Sequence, residues 1–160
     1  MELQNQDFKE FIELLNVHEV KYLVVGGYAV VFHGHPRYTG DIDFWVWMDE
    51  GNAQKVVNVL KAFGFGSLGA VVEDFTDPNN VMQLGYPPAR IDLLTTVSGL
   101  YDFEACFENR IETLIDGIKI NFIGYEDLIT NKKAKLRRLA NATRIPARTA
   151  ASQRRHHSGG

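Results

Sequence analysis

Residues 22–43, Tyr-Leu-Val-Val-Gly-Gly-Tyr-Ala-Val-Val-Phe-His-Gly-His-Pro-Arg-Tyr-Thr-Gly-Asp-Ile-Asp, contain the pattern that decides the fold. A short β-branched run ends at Gly26 and Gly27, which is typical of a buried strand that turns sharply. Residues 28–33 then read as one or two helical turns. After 13 residues beyond Gly27, Asp41 opens an alternating, aromatic-rich stretch that favours a second strand. The order of strand, helix and strand indicates a mixed α/β fold.

The rest of the chain extends this alternation of helices and strands. Apolar residues at helical spacing predict helices, β-branched runs predict strands, and Asp116-Gly117 predicts a tight hairpin. The further expected helices are 6–19, 52–63, 102–109 and 126–139, and the expected strands are 81–84, 90–95, 111–115 and 118–123. We therefore expect a mixed sheet flanked by helices, with the strands of 81–84 and 90–95 as candidates for pairing.

Length and composition favour one folded domain. The chain has 160 residues, of which 45% are hydrophobic, enough to fill a single core. We place this domain at residues 1–140, because residues 141–160 show no sustained period and are expected to be a basic, disordered tail. No long apolar run or signal-peptide pattern is seen, and Cys106 is the only cysteine. These features predict a cytoplasmic protein with no membrane partner.

Charge is divided unevenly along the chain. Residues 1–127 hold all 20 acidic residues and 8 Lys or Arg, whereas residues 128–160 hold 9 Lys or Arg and no acid. The first part therefore carries a balance of −12 and the second +9. A solvated basic helix with a disordered end would explain the second part, and so would a basic arm that binds nucleic acid or phosphates.

Three aspartates are candidate metal ligands. Asp41 and Asp43 are two residues apart in a predicted strand, so their side chains emerge on the same face and can reach one cation. Asp92 lies in the apolar stretch Arg-Ile-Asp-Leu-Leu, where an unpaired charge would be costly and needs a partner. Carboxylate oxygens suit Mg²⁺ or Mn²⁺, and either ion would relieve the repulsion between neighbouring acids.

The residues around these acids suggest a phosphate site. Backbone amides at Gly26 and Gly27 can approach anionic oxygens without obstruction from a Cβ atom. Arg37, in the loop before the acidic strand, has two readings: it meets a phosphate or it pairs with a nearby acid. Thr39 lies in the same loop. Lys132 and its neighbour Lys133 lie on the last predicted helix and also have two readings: they contact the phosphates, or they stay in solvent.

Two tryptophans and the lone cysteine are expected to be structural. Trp45 and Trp47 extend the face that carries the acids, where they either stack on a base or fill the core. Core filling is the simpler expectation. Cys106 lies among apolar residues, which suits burial better than nucleophilic catalysis.

Taken in order, these pieces resemble the nucleotidyltransferase superfamily typified by DNA polymerase β. The matching residues are Leu23-Val-Val-Gly-Gly27, then 13 residues, then Asp41-Ile-Asp43, and finally Ile91-Asp92-Leu93. Residues 26–43 are more similar to small bacterial nucleotidyltransferase-like proteins, including AbiEii-like members of toxin–antitoxin systems. The resemblance covers residues 20 to about 135 and includes the helix start at 126–133.

The resemblance implies a minimal nucleotidyltransferase fold and a metal-dependent enzyme. A hydroxyl of RNA or protein would attack the α-phosphorus of an NTP, with metal ions stabilising the entering and departing oxygens. Asp41, Asp43 and Asp92 would hold the metal, and Asp92 would also help to deprotonate the attacking hydroxyl. Gly26 and Gly27 would bind the triphosphate. The alternatives are a non-catalytic nucleotide-binding module and a toxin–antitoxin partner protein that retains the fold.

Overall fold

The computed structural model describes the backbone of residues 1–157 and the side chains of residues 1–142. In chain order the elements are α1 (Gln6–Val17), β1 (Tyr22–Val25), α2 (Gly26–Phe32), β2 (Ile42–Val46), α3 (Glu50–Ala62), β3 (Val81–Leu84), β4 (Ile91–Leu94), α4 (Phe103–Glu108), β5 (Ile111–Ile115), β6 (Ile118–Phe122) and α5 (Tyr125–His157). Two short 3₁₀ turns, Gly66–Leu68 and Val72–Phe75, follow α3.

The strands form one mixed sheet in the order β3-β4-β2-β1-β6-β5. β1 pairs antiparallel with β2, and β2 pairs parallel with β4. The predicted pairing of β3 with β4 and the predicted β5–β6 hairpin are both confirmed as antiparallel pairs. The end of β1 therefore lies beside the starts of β2 and β4. The expected mixed α/β fold with flanking helices is confirmed.

Helices cover both faces of the sheet. On one face Phe11 of α1 packs against Phe44 of β2, with ring centroids 5.5 Å apart. On the other face Trp45 packs against Phe103 of α4 at 5.0 Å. Successive residues of a strand point to opposite faces, so Asp43 shares the face of Trp45 and not that of Phe44. The acidic side chain therefore points toward α4 and α5.

The last helix is longer than its sequence pattern predicts. The apolar period ends at Leu139, but α5 continues to His157. Residues 158–160, and the side chains of 143–157, lie outside the described residues, so the boundary of the domain at residue 140 and the disordered tail at 141–160 stay predictions. Within the described helices, none is long and apolar enough to cross a membrane.

Candidate active site

The sheet register places two of the predicted acids side by side. Asp43 of β2 pairs with Val25 of β1 on one side and with Asp92 of β4 on the other. Neighbouring strands are ~4.8 Å apart, and in a parallel register the two carboxylates leave the sheet on the same face. Asp41 directly precedes β2, at the same end of the strand. Three chain segments that are distant in sequence therefore converge at one sheet end.

Arg90 links the two outer acids. Its guanidinium donates to both oxygens of Asp92, at 2.7 Å from Nε and 3.1 Å from Nη2. Nη2 also lies 3.2 Å from Oδ2 of Asp41, and the Arg90 backbone N–H donates to Oδ1 of Asp41 at 3.1 Å. Charge-assisted bidentate contacts of this kind hold carboxylates in a defined orientation. The Arg90 guanidinium thus binds both Asp41 and Asp92.

Arg90 is the site residue that the sequence reading missed. It precedes Asp92 by two positions, and residues with that spacing in a strand share a face. This alternation, already used to group Asp41 with Asp43, was the available signal. In the structure, Arg90 therefore supplies the opposite charge that the buried Asp92 needs.

Asp43 has an unusual electrostatic environment. Burial, followed by the neighbouring charge of Asp92, raises the pKa of its carboxyl to about 6. Lys135 of α5 opposes this shift. A carboxyl that is buried beside another carboxylate favours its neutral form unless a cation compensates the charge. The Asp43–Asp92 pair is therefore a place where positive charge would bind favourably.

The glycine turn is shaped by the acids and the loop packed against it. Gly26 has φ of +67°, a conformation that L side chains rarely adopt, and a Cβ atom there would overlap the carboxylate of Asp43. A Cβ atom on Gly27 would lie 2.5 Å from Oγ1 of Thr39. Thr39 in turn donates from Oγ1 to the carbonyl oxygen of Asp41 at 3.2 Å. Glycine therefore allows the backbone to approach the Asp43 carboxylate at position 26 and the Thr39 side chain at position 27.

The predicted site residues line one cleft of about 500 Å³. This volume falls within the ~300–1,000 Å³ typical of small-molecule sites. The cleft lies between the sheet end and α5, and the predicted residues that line it are Gly26, Gly27, Arg37, Thr39, Asp41, Asp43, Asp92 and Lys132. We call it the first cleft. Residues far apart in the sequence thus surround one space.

The basic residues of the first cleft come from two directions. Arg37 is exposed in the loop before β2, and no described acid forms a salt bridge with it. Lys132 and Lys135 enter from α5. Lys133, their neighbour, lines neither this cleft nor the larger one beside it. The helix therefore presents two of these three lysines to the acids.

The expected structural roles of the tryptophan and cysteine residues agree with their burial. Trp45 is buried and its indole N–H donates to the carbonyl oxygen of Thr95 at 3.2 Å. Trp47 packs against the core while remaining partly exposed. Cys106 is buried, and burial raises the pKa of its thiol to about 12, which keeps it protonated and unreactive.

The carboxylates of Asp41, Asp43 and Asp92 fit a hard divalent cation, provided that Arg90 moves away from Asp41 and Asp92. Among residues 1–142, no three acidic, His or Cys side chains are already arranged around a metal position. Asp41 and Asp92 turn toward Arg90 instead. Asp43 forms no salt bridge with Arg90, and a cation would offset the cost of its burial beside Asp92. The three carboxylates offer only oxygen ligands, which Mg²⁺ and Mn²⁺ prefer.

Comparison with known proteins agrees with this geometry. A search of curated proteins finds no match. The solved structure of a Thermotoga maritima protein, described as a "putative nucleotidyltransferase", superposes with a TM-score of 0.61 at 15% identity and covers 91% of both chains. At that identity the match shows the fold. A family model described as "Nucleotidyltransferase of unknown function (DUF6036)" matches residues 6–139, which include every predicted site residue. The chain therefore belongs to this nucleotidyltransferase family.

Proposed function

We propose that this protein transfers a nucleoside monophosphate from an NTP to a hydroxyl group of RNA or protein, in a reaction that requires Mg²⁺ or Mn²⁺. One observation supports this most strongly. The turn at Gly26 and Gly27, which follows β1, lies beside the carboxylates of Asp43 on β2 and Asp92 on β4, and all four residues line one cleft. Backbone amides suited to phosphate binding are therefore close to carboxylate oxygens suited to cation binding.

Each side of the first cleft has a distinct task in this proposal. Backbone amides at Gly26 and Gly27 meet triphosphate oxygens, while Lys132 and Arg37 balance their negative charge. Asp41, Asp43 and Asp92 would hold the divalent cation. When bound, that cation would offset the carboxylate charges and stabilise charge on the phosphate oxygens. The protein thus contributes chiefly by positioning and neutralising groups.

The bond changes in the transfer are simple. The acceptor oxygen forms a bond with the α-phosphorus, and the bond from that phosphorus to the bridging oxygen breaks. Pyrophosphate leaves with the electron pair, and the acceptor hydroxyl loses its proton to the neighbouring carboxylates of Asp43 and Asp92. Lys132 and Lys135 are close enough to line the space that the departing pyrophosphate would cross.

A second candidate function is favoured by Arg90. Its guanidinium already neutralises Asp41 and Asp92, so the fold could serve as a nucleotide-binding module without transfer. A partner protein in a toxin–antitoxin system, as in AbiEii-like proteins, would be one use of such a module. Transfer requires Arg90 to release carboxylate oxygens to a cation, whereas simple nucleotide binding does not.

The deciding experiment is a label-transfer assay. The protein is incubated with Mg²⁺ or Mn²⁺, each α-labelled NTP, a pool of tRNA and a cell protein extract, and labelled products are separated by size. We expect label on a macromolecule with at least one NTP. Because a bound metal contributes several kcal/mol, Asp43→Ala should lower the rate about 1,000-fold.

A matched control separates charge removal from loss of the site. Asp7→Ala removes an exposed acid from α1, on the sheet face opposite Asp43, and should leave transfer unchanged. Equal transfer by wild type, Asp41→Ala and Asp43→Ala would refute the proposed site. Metal-dependent NTP binding with no label on any macromolecule would support the binding module instead.

A further inference from the structure

A second cleft of about 1,300 Å³ opens beside the first. It lies between α5 and the segment from β4 to α4, and three residues line both clefts: Asp43, Asn131 and Lys135. A molecule in the second cleft would therefore reach the carboxylate of Asp43 directly. Its volume exceeds the ~300–1,000 Å³ of most small-molecule sites, which favours part of a polymer as its occupant.

The walls of the second cleft are held in place by specific contacts. The side-chain amide of Asn131 donates to the carbonyl oxygen of Ser98 at 2.9 Å, and Nη1 of Arg138 donates to the Ser98 hydroxyl at 2.9 Å. Gly99 lies against α5 so closely that a Cβ atom there would be 2.6 Å from Cβ of Ala134. The helix and the segment after β4 are thus packed together, and the cleft is a formed feature of the fold.

One wall of the second cleft is strongly basic. Residues 128–142 of α5 carry five Lys or Arg and no acid. Of these, Lys135, Arg137 and Arg138 line the cleft. Arg137 is exposed. A positive wall of this kind attracts a phosphodiester backbone more than a polypeptide, whose backbone carries no charge.

The other wall offers an aromatic surface. Tyr101 is 96% exposed, although a tyrosine normally buries much of its ring. The ring of Trp47 is less accessible, because the ammonium of Lys21 lies 4.8 Å from its centroid. Asp102, which follows Tyr101 and also lines the cleft, accepts a hydrogen bond from the backbone N–H of Ala105 and caps α4. Tyr101 is therefore the residue on which an unpaired base would stack.

We propose that the second cleft binds the end of a single-stranded RNA and directs its terminal ribose hydroxyl to Asp43. This proposal rests on the proposed function, because it assigns the acceptor of that transfer. Arg137 contacts a phosphate and Tyr101 stacks on a base near the end of the strand. The hydroxyl then meets the α-phosphate of the NTP where the two clefts join.

Fluorescence anisotropy with a labelled single-stranded RNA tests binding without NTP or metal. We expect Tyr101→Ala and Arg137→Ala each to weaken binding about tenfold, as loss of one base stack or one phosphate contact would. Arg137→Ala should also reduce the dependence of log K on log salt by about one. Tyr86→Ala, another exposed tyrosine, and Lys133→Ala, another α5 cation, line neither cleft and should bind as wild type.

Label transfer with the same variants separates this proposal from the proposed function. RNA binding that depends on Tyr101 and Arg137, without transfer by wild type, would support the cleft and refute the function. Transfer to RNA that is unaffected by either substitution would refute the cleft and leave the function. Equal weakening by Tyr86→Ala and Lys133→Ala, or label on protein with no RNA binding, would also overturn the RNA proposal.

Discussion

The two sides of the first cleft are constructed differently. On the sheet side, strand register, the bidentate Arg90 contacts and a glycine with φ of +67° each restrict where the acids lie. On the α5 side, Lys132 and Lys135 are exposed side chains on a single helix. Several independent constraints thus position the carboxylates, whereas long flexible side chains supply the positive charge.

This difference predicts unequal sensitivity to substitution. Small displacements on the sheet side should affect the reaction strongly, because catalysis depends on the placement of reacting groups to within about 1 Å. Exposed lysines tolerate such displacements, since their charge acts over a longer range and solvent screens it. Substitutions on the sheet side should therefore lower the transfer rate more than substitutions of the α5 lysines.

Gly26→Ala should have the largest effect. Its Cβ atom would displace the Asp43 carboxylate, and a displacement of about 1 Å can cost on the order of 100-fold in rate. The φ of +67° adds a destabilisation of about 1 kcal/mol. Label transfer and thermal melting measure the two effects separately.

Gly69→Ala is the matched control for backbone strain. Gly69 has φ of +68°, and apart from its chain neighbours no atom of the described residues lies within 4 Å of its Cβ position. It should lose similar stability and keep its transfer rate. If both variants lose transfer equally, the contact between Gly26 and Asp43 has no special role.

Arg90→Gln should tighten cation binding. The guanidinium competes with a cation for the oxygens of Asp41 and Asp92, so its removal should raise Mn²⁺ affinity about tenfold or more. Without metal, the uncompensated acids should lower the melting temperature of the variant, and Mn²⁺ should restore it. Weaker Mn²⁺ binding by the variant would show that Arg90 orients the carboxylates for the metal.

Asp43→Asn should stabilise the metal-free protein at neutral pH. The pKa of Asp43 is raised from 3.8 to about 6, so the folded state disfavours its ionised form. This cost is absent well below pH 3.8 and complete above pH 6. With solvent screening, urea unfolding in chelator should show a gain of ~1–2 kcal/mol at pH 7.5 and little near pH 4. A pH-independent gain would contradict the electrostatic explanation.

Substitutions of the α5 lysines should have the smallest effects. Lys132→Met and Lys135→Met each remove one exposed charge from the cleft that we propose for the triphosphate, and NTP affinity should fall about two- to fivefold. Lys133→Met removes the same charge from the same helix without lining the cleft, and should leave NTP affinity unchanged. Equal losses for all three would indicate a general attraction rather than local contacts.

The sequence predicted the sheet side better than the helix side. Alternation in residues 41–43 and the isolated Asp92 predicted that the acids lie together because strand geometry has only two faces, and the register places Asp43 beside Asp92. The glycine turn was recognisable because positive φ restricts the residue type. Each of these signals is local.

What the sequence did not reveal depends on tertiary contact. Strand alternation could have paired Arg90 with Asp92, but the contact of Arg90 with Asp41 requires β2 and β4 to be neighbours, which no local pattern specifies. The apolar period stops at Leu139, so the extension of α5 to His157 carried no signal. The second cleft arises from packing between α5 and the segment after β4, which is equally non-local.

Titration of Mn²⁺ binding at pH 7.5 tests the account most directly, because the proposed transfer requires a cation at the acids of the first cleft. Electron paramagnetic resonance measures free Mn²⁺ in the presence of wild type, Asp43→Asn and the surface control Asp7→Asn. We predict saturable binding by wild type and Asp7→Asn, and binding at least about tenfold weaker by Asp43→Asn. Equal binding by all three proteins, or none by wild type with NTP present, would contradict the assignment of the aspartates as a metal site.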